Sequence, residues 1–385
     1  MARTNDVLVA TDAGESMRTI VVVGAGLSGL VAADAICRAI SPCKRSIHVL
    51  ESRDRVGGRL LSVELPGSQI IDLGATWIWP ASNPELDRLA KGLDVPRLSE
   101  GDGAFRFERG SQAVALGLAD SLRSSENVSI RLQCQVLSVS SLSPAGKIGV
   151  SFRNSSSQDE NMIADAVFVA CPLRLAQEHI FFEPSLGEDL VAAMRSCRTW
   201  MAQQGKFVAA YDSTFWKNRR RKFYWEKASV DGPLDVFFEH GDAIWGFLSN
   251  ERRWRSLDSD DRQHRILLQL RAMLGDEAMS PVAVFEQDWA REAATCSASD
   301  AAEAHPWKHP VYGNRDVLSR GHWNSTLWFI GSETSSASTA GFMEGAVEAG
   351  RRRVRQYLDT LPTSFAIAQA NHKCILHNHQ VLHEW

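Results

Sequence analysis

What the 385-residue chain lacks narrows its class first. It has no run approaching about 18 consecutive apolar residues, so no membrane-spanning helix and no membrane partner are expected. Met1 to Met17 has no apolar core of the kind a secretory signal needs, and reads as a polar arm on a cytoplasmic protein. Lys plus Arg number 42 and Asp plus Glu 46, a net charge of −4. That balance excludes a generally basic nucleic-acid coat. The seven cysteines (Cys37, Cys43, Cys134, Cys171, Cys197, Cys296, Cys374) form no CxxC pair, which fits free thiols in a reducing compartment. No segment repeats at a period of about 20–50 residues, which argues against a solenoid. His372, His377, His379 and His383 lie in the tail without a second cluster, so no metal site is expected. Tyrosine is scarce, at 4, while tryptophan reaches 12. So many indoles point to large buried surfaces or an aromatic ligand pocket.

What is present begins with Thr19 to Val23, a β-branched run that reads as a buried strand. Gly24-Ala25-Gly26-Leu27-Ser28-Gly29 follows it, and Leu30 to Ile40 has helical spacing. Ser46 to Leu50 reads as a second strand, closed by Glu51. In this β-α-β unit Gly24 makes the tight turn, Gly26 lets backbone approach a pyrophosphate, and Gly29 lets helix and strand pack closely. The helix start at Leu27 and Ser28 supplies N–H donors for the anion. Glu51, placed at the end of the second strand, can accept hydrogen bonds from a ribose. Ser52 and Arg53 continue from it, and Gly57-Gly58 lets a second loop approach the same phosphates, with Arg59 supplying charge. Asp72-Leu73-Gly74-Ala75-Thr76-Trp77 comes next.

Further along, Leu86 to Leu122 reads as mostly helix and loop. Asn127 to Val139, Ile148 to Arg153, Ala166 to Ala170, Phe207 to Tyr211 and Asp235 to Phe238 read as strands. Arg262 to Leu274 is an amphipathic helix, Leu327 to Ile330 a last buried strand, and Gly345 to Tyr357 a closing helix. Lys217, Arg219, Arg220, Arg221 and Lys222 read as a solvated charge run.

Three separated blocks together resemble the flavin-containing amine oxidases, which include monoamine, polyamine and L-amino-acid oxidases. They are VVVGAGLSGL through ESRDRVGGRL and IDLGATW, then TWMAQQGKFVAAYDSTFW, then LWFIGSETSSASTAGFMEGAVEAG. The resemblance implies an α/β chain of mixed α+β character. A Rossmann-like FAD-binding domain (18–80, 111–175 and 320–358) would interleave with a smaller sheet-plus-helix substrate domain (81–110 and 176–319). A mobile arm (1–17) and a tail (359–385) would flank them. By the same resemblance Gly74, Ala75, Thr76, Trp77, Val136, Gly331, Ser332, Glu333, Gly341, Phe342 and Met343 join the cofactor-binding set. Gly331 and Glu333 would approach the pyrophosphate and ribityl chain, and the helix from Met343 would point its N-terminus at the flavin ring.

Lys206 is similar to the family's lysine that holds a water beside flavin N5, and Trp289 and Phe342 join it as expected catalytic residues. Phe342 stands where one of two cage rings would be, but the segment after Trp289 has no aromatic for the second. Trp77, Trp79 and Trp307 could supply replacement rings, with Trp79 and Trp307 the expected substrate-pocket walls beside Phe342, while Trp77, Trp200, Trp216, Trp289 and Trp328 sit in or beside the family blocks. No Gly-Cys-Tyr context surrounds Cys296, so non-covalent FAD is expected. Only about 30 residues separate Trp79 from Ser111, which implies a short form with a trimmed cap.

The resemblance implies an oxidase that moves a hydride from the carbon beside an amine nitrogen to flavin N5, giving an imine, with O2 reduced to hydrogen peroxide. Two alternatives remain beside it: an oxidative cyclase or desaturase of an amine-containing intermediate, and a non-catalytic flavin-binding scaffold.

Overall fold

The computed structural model describes residues 17–142, 146–218, 225–228, 230–303, 309–310, 312 and 315–362. Its class is the mixed α/β one expected. The first strand, Arg18–Val23, lies at the centre of a five-stranded parallel sheet. The strands run in the order Leu327–Phe329, Ala166–Val169, Arg18–Val23, Arg45–Leu50, Val128–Arg131, so one sheet gathers residues from both ends of the chain.

The two faces of this sheet follow from the period-2 alternation of strand side chains. Ile20 and Val22 face the helices Leu27–Ala39, Gln112–Arg123 and Met343–Leu358, in one apolar cluster with Leu30, Leu118 and Val347. Val21 and Val23 face the other way, onto the four-stranded sheet built from Asp159–Ala164, Ile148–Arg153, Gln135–Ser141 and Phe181–Glu183. A strand buried on both faces needs the unbroken apolar run that Ile20 to Val23 supplies. Each fully buried Val or Ile contributes about 1.5–3 kcal/mol by leaving water.

A second five-stranded sheet is antiparallel throughout, in the spatial order Trp225–Lys227, Leu234–His240, Ala243–Leu248, Gly205–Ala210, Ala283–Asp288, and also separates two environments. Phe207 and Ala209 pack on the helix Ser259–Leu274 through Ile266 and Leu270. The intervening residues Val208 and Ala210 face Leu65, Ile71 and Leu73, beside the hairpin Ser62–Glu64 and Ile70–Asp72. Lys206 shares their parity, and this alternation points its side chain toward residues 72–76.

Two expectations change. Between the helices Pro84–Gly92 and Gln112–Arg123, the chain forms a hairpin, Arg97–Gly101 and Ala104–Phe107, where helix and loop were expected. It turns through Gly101, Asp102 and Gly103, all at positive φ. The first of its strands is largely polar and leaves no alternating apolar signal. The strand Ala243–Leu248 differs too, since no element was expected there; it carries Trp245 and the cavity-lining Phe247. Trp307, Arg219 to Lys222, Cys374 and the four tail histidines lie outside the described residues.

Candidate active site

A cavity of about 870 Å³ opens between the carboxyl ends of the parallel strands and the inner face of the antiparallel sheet. Crevices at strand carboxyl ends are the usual ligand sites of open α/β sheets, and this volume suits a cofactor with its substrate. Of the residues expected at the cofactor, Gly24, Gly26, Leu27, Ser28, Glu51, Ser52, Arg53, Gly57, Gly58 and Arg59 line it. So do Gly74, Ala75, Thr76, Trp77, Val136, Ser332, Gly341, Phe342 and Met343. Gly29, Gly331 and Glu333 do not line it.

Gly29 is needed behind the wall: a Cβ there would lie 2.0 Å from the Gly24 carbonyl oxygen. Gly26 differs. Its φ of −70° suits any residue, and a Cβ added to it would meet nothing closer than Gly58 Cα at 3.9 Å. The cradle is therefore open on the cavity side at Gly26. Gly26 also pairs with Gly57 through an isolated bridge, which joins the two glycine loops.

Two helices start at this wall, one with Gly26 and the other with Phe342 at the N-cap, and neither N-terminus receives a side-chain cap. By contrast, Asp258 caps the helix Ser259–Leu274 by accepting from the Asp261 N–H at 2.9 Å. Uncapped N-termini leave N–H donors and a positive dipole end for an anion. Glu51 is 2 % exposed at the far end and accepts the backbone N–H groups of Ala25 (2.7 Å) and Arg53 (3.0 Å). Glycine cradle, donor-rich helix ends and buried acid fit the dinucleotide cofactor that the glycine motif implies.

Arg59 does not stand free for phosphate. It donates to the Trp200 carbonyl (3.1 Å), Ser332 Oγ (2.8 Å) and Glu333 Oε1 (2.9 Å). Glu333 is held behind the wall by that pair, and its Oε2 has no partner among the described residues. The segment after Trp289, where a second cage ring was sought, docks on the Glu51 end instead. Arg53 donates to Thr295 Oγ1 at 2.5 Å and lies 3.7 Å from Glu292.

Lys206 is 4 % exposed, and its Nζ donates to Asp72 O (3.1 Å), Gly74 O (2.7 Å) and Thr76 Oγ1 (2.6 Å). The ammonium also lies 4.6 Å from the Trp245 ring centre and 5.6 Å from that of Phe247. Burial pulls its pKa down from 10.5 to about 8, against the opposing pull of Asp72. Asp72 is itself pushed up by burial, with Lys206 and the donors Ser62 and Ser111 opposing. Trp289 packs nearby, its Nε1 donating to Leu73 O at 3.0 Å.

Phe342 is 42 % exposed and stacks on His309, with centroids 4.7 Å apart and planes 12° apart. Trp200 meets both rings, at 6.1 Å from Phe342 and 4.9 Å from His309. Of the two rings beside Phe342, Trp200 is the one that lines the cavity, and the sequence placed it in a family block without assigning it to the pocket. Trp77, Trp79 and Trp289 also line the cavity, whereas Trp216 and Trp328 are core residues. Cys296 is buried outside the cavity wall. Cys134 and Cys171 line it, the second with its thiol pushed up to about 12 by burial.

Glu344 went unassigned from sequence. It is buried in the first turn of the closing helix and accepts the N–H groups of Glu85 (2.9 Å) and Leu86 (2.8 Å). It thus caps the helix Pro84–Gly92 from another helix, a long-range pairing with no local signature.

Residues 94–358 match the family model for flavin containing amine oxidoreductases, and residues 22–93 match an NAD(P)-binding Rossmann-like domain. The flavin-containing amine oxidase B of Rattus norvegicus is 38 % identical over 93 residues, 24 % of this chain and 17 % of that protein. Putrescine oxidase of Kocuria rosea is 37 % identical over 103 residues, 26 % of this chain and 20 % of that protein. The matched stretch thus spans a fifth or less of either relative's length. Cyclohexylamine oxidase from Brevibacterium oxydans superposes with a TM-score of 0.69 at 17 % identity, over 89 % of this chain and 99 % of that one. A putrescine oxidase bound to putrescine gives 0.66 at 18 % identity, over 89 % and 99 %. These structures share the fold. With the family model covering well over half its length, the chain belongs to the flavin-containing amine oxidoreductases.

Proposed function

We propose that the chain is an FAD-dependent amine oxidase. It removes a hydride equivalent from the carbon beside an uncharged amine nitrogen, and a proton from that nitrogen, to leave an imine that water hydrolyses. FAD, when bound, supplies the two-electron acceptor and returns the electrons to O2 as hydrogen peroxide. The observation that carries this reading is one cavity with two chemistries, a donor-rich glycine cradle at Gly26 and aromatic walls at Phe342, lined also by buried Lys206.

The chain's own part is binding, orientation and exclusion of water. Leu27 and Met343 begin the two helices whose N-termini receive negative charge. Glu51 accepts hydroxyl donors at the nucleoside end. Phe342, Trp200 and Trp79 offer apolar walls, which suit an amine with an aromatic or bulky apolar body. Neither Phe342 nor Trp200 carries a general base, in keeping with direct loss of hydride from a neutral amine.

Non-covalent attachment is supported by the cysteines. Burial keeps the Cys171 thiol protonated near neutral pH and raises that of Cys134, so neither is a ready nucleophile. An anaerobic screen of amines, amino acids and N-alkyl amines against the flavin-loaded chain tests the proposal. Bleaching of the flavin absorbance by an amine supports it, whereas a flavin that no amine reduces favours the scaffold reading.

A further inference from the structure

We infer that Asp72 is a positioning residue for the proposed reaction, its buried carboxylate holding Lys206 charged and in register through the loop of residues 72–76. The inference rests on Lys206 serving the proposed site.

Asp72 ends the strand Ile70–Asp72 and is 4 % exposed. Its Oδ1 accepts three hydrogen bonds, from Ser62 Oγ (2.7 Å), Ser111 N (2.8 Å) and Ser111 Oγ (3.0 Å). These donors, together with Lys206, favour the anionic form against the burial that pushes this carboxyl up. The same residue presents its backbone carbonyl to Lys206 Nζ, and Gly74 and Thr76 complete the grip. One short loop therefore supplies all three acceptors of the ammonium and is anchored at its start by the carboxylate.

The other elements around Lys206 bring no competing charge. Its cross-strand neighbours are Phe247 and Gln287, both uncharged. Glu286 and Asp288 flank Gln287 but are held by Arg262 and Arg255. Trp77 and Trp245 present ring faces. Arg59 lines the same cavity but is paired with Glu333. Among the described residues, Asp72 is thus the one acid that electrostatically supports Lys206, consistent with the opposing influences on the two pKa values.

The grip also suits the neutral amine. Two of its acceptors are carbonyls, which can only accept, while the Thr76 hydroxyl can reverse and donate to the free lone pair. Lys206 can therefore exchange a proton without losing a partner, and Asp72 sets the pH at which it does so.

The test follows the Lys206 Nζ resonance in the flavin-loaded full chain labelled with ¹⁵N-lysine, assigned by its loss in K206M. Titration runs from about pH 6 to about pH 10.5, a range that spans buried and exposed lysines. The wild-type midpoint is expected at about 8. D72N is expected to lower it by about one unit or more, tenfold in the proton affinity, and D72E to restore it. A D72N midpoint equal to or above the wild-type value overturns the inference. If D72N does not fold, D72S removes the charge and keeps a hydroxyl oxygen beside Ser62 and Ser111; a downward shift supports the inference and an unchanged midpoint overturns it. No substrate enters the measurement, so its outcome is independent of whether the chain oxidises amines.

Discussion

Gly26→Ala separates the fold from the cofactor cradle. The backbone at Gly26 has a φ of −70°, and the added methyl would meet no protein atom nearer than 3.9 Å. The folded apoprotein should therefore tolerate the change, and reduced freedom of the unfolded chain could add about 0.4–1 kcal/mol. The methyl instead occupies the space where a phosphate would approach the first helix. Displacing that group from even one charge-assisted N–H bond costs about 1.5–3 kcal/mol, roughly a ten- to hundredfold loss of affinity. Apoprotein melting temperature and flavin affinity, by fluorescence titration with FAD, give the two readouts. Gly29→Ala is the contrasting control, because its methyl would lie 2.0 Å from the Gly24 carbonyl oxygen and should damage the fold itself. A Gly26→Ala chain that binds FAD as tightly as wild type would refute the placement of the pyrophosphate.

Trp200→Ala should raise KM for a reactive aromatic amine at least about tenfold, the loss of one ring contact with its buried area, while flavin content stays near wild type. Equal KM values would remove Trp200 from the substrate wall. Lys206 should make stability rise with pH. Its folded pKa is about 8 against an ordinary 10.5, so the unfolded chain binds more protons between those values, and stability increases across that window by up to roughly 3 kcal/mol. Urea denaturation at about pH 8 and about pH 10 should show that rise in wild type and not in K206M; equal slopes would contradict it. Glu344→Ala should destabilise the chain by about 1–2 kcal/mol by uncapping Pro84–Gly92, and a melting temperature unchanged from wild type would argue against that cap.

The nucleotide half of the site was legible because its chemistry is local. A strand, three glycines and a terminal acid occur in sequence order, and Gly24, Gly26 and Glu51 reach the same cavity. Unbroken apolar runs likewise made Thr19 to Val23 and Ala166 to Ala170 readable as buried strands, and strands lie at Arg18–Val23 and Ala166–Val169. What remained hidden depends on contacts between distant segments. The grip of residues 72–76 on Lys206 spans 130 positions or more, and no spacing rule signals that a backbone carbonyl will meet a lysine. Trp200 became a pocket residue through Phe342 and His309, more than 100 positions further on. Arg59 looked available for phosphate, yet Glu333, an acid 274 positions away, claims it. The hairpin was missed because Arg97–Gly101 is a largely polar edge strand and Ala104–Phe107, the middle strand of that sheet, is only four residues long.

The central claim, one cavity uniting FAD and an amine, is tested most directly by anaerobic stopped-flow spectroscopy of the purified flavin-loaded chain. The account predicts an oxidised flavin spectrum that an apolar or aromatic amine bleaches. Air should restore the colour with one hydrogen peroxide per imine formed, and heat should release the flavin as free FAD. A chain that binds no flavin, or whose flavin stays oxidised with every amine offered, would contradict it.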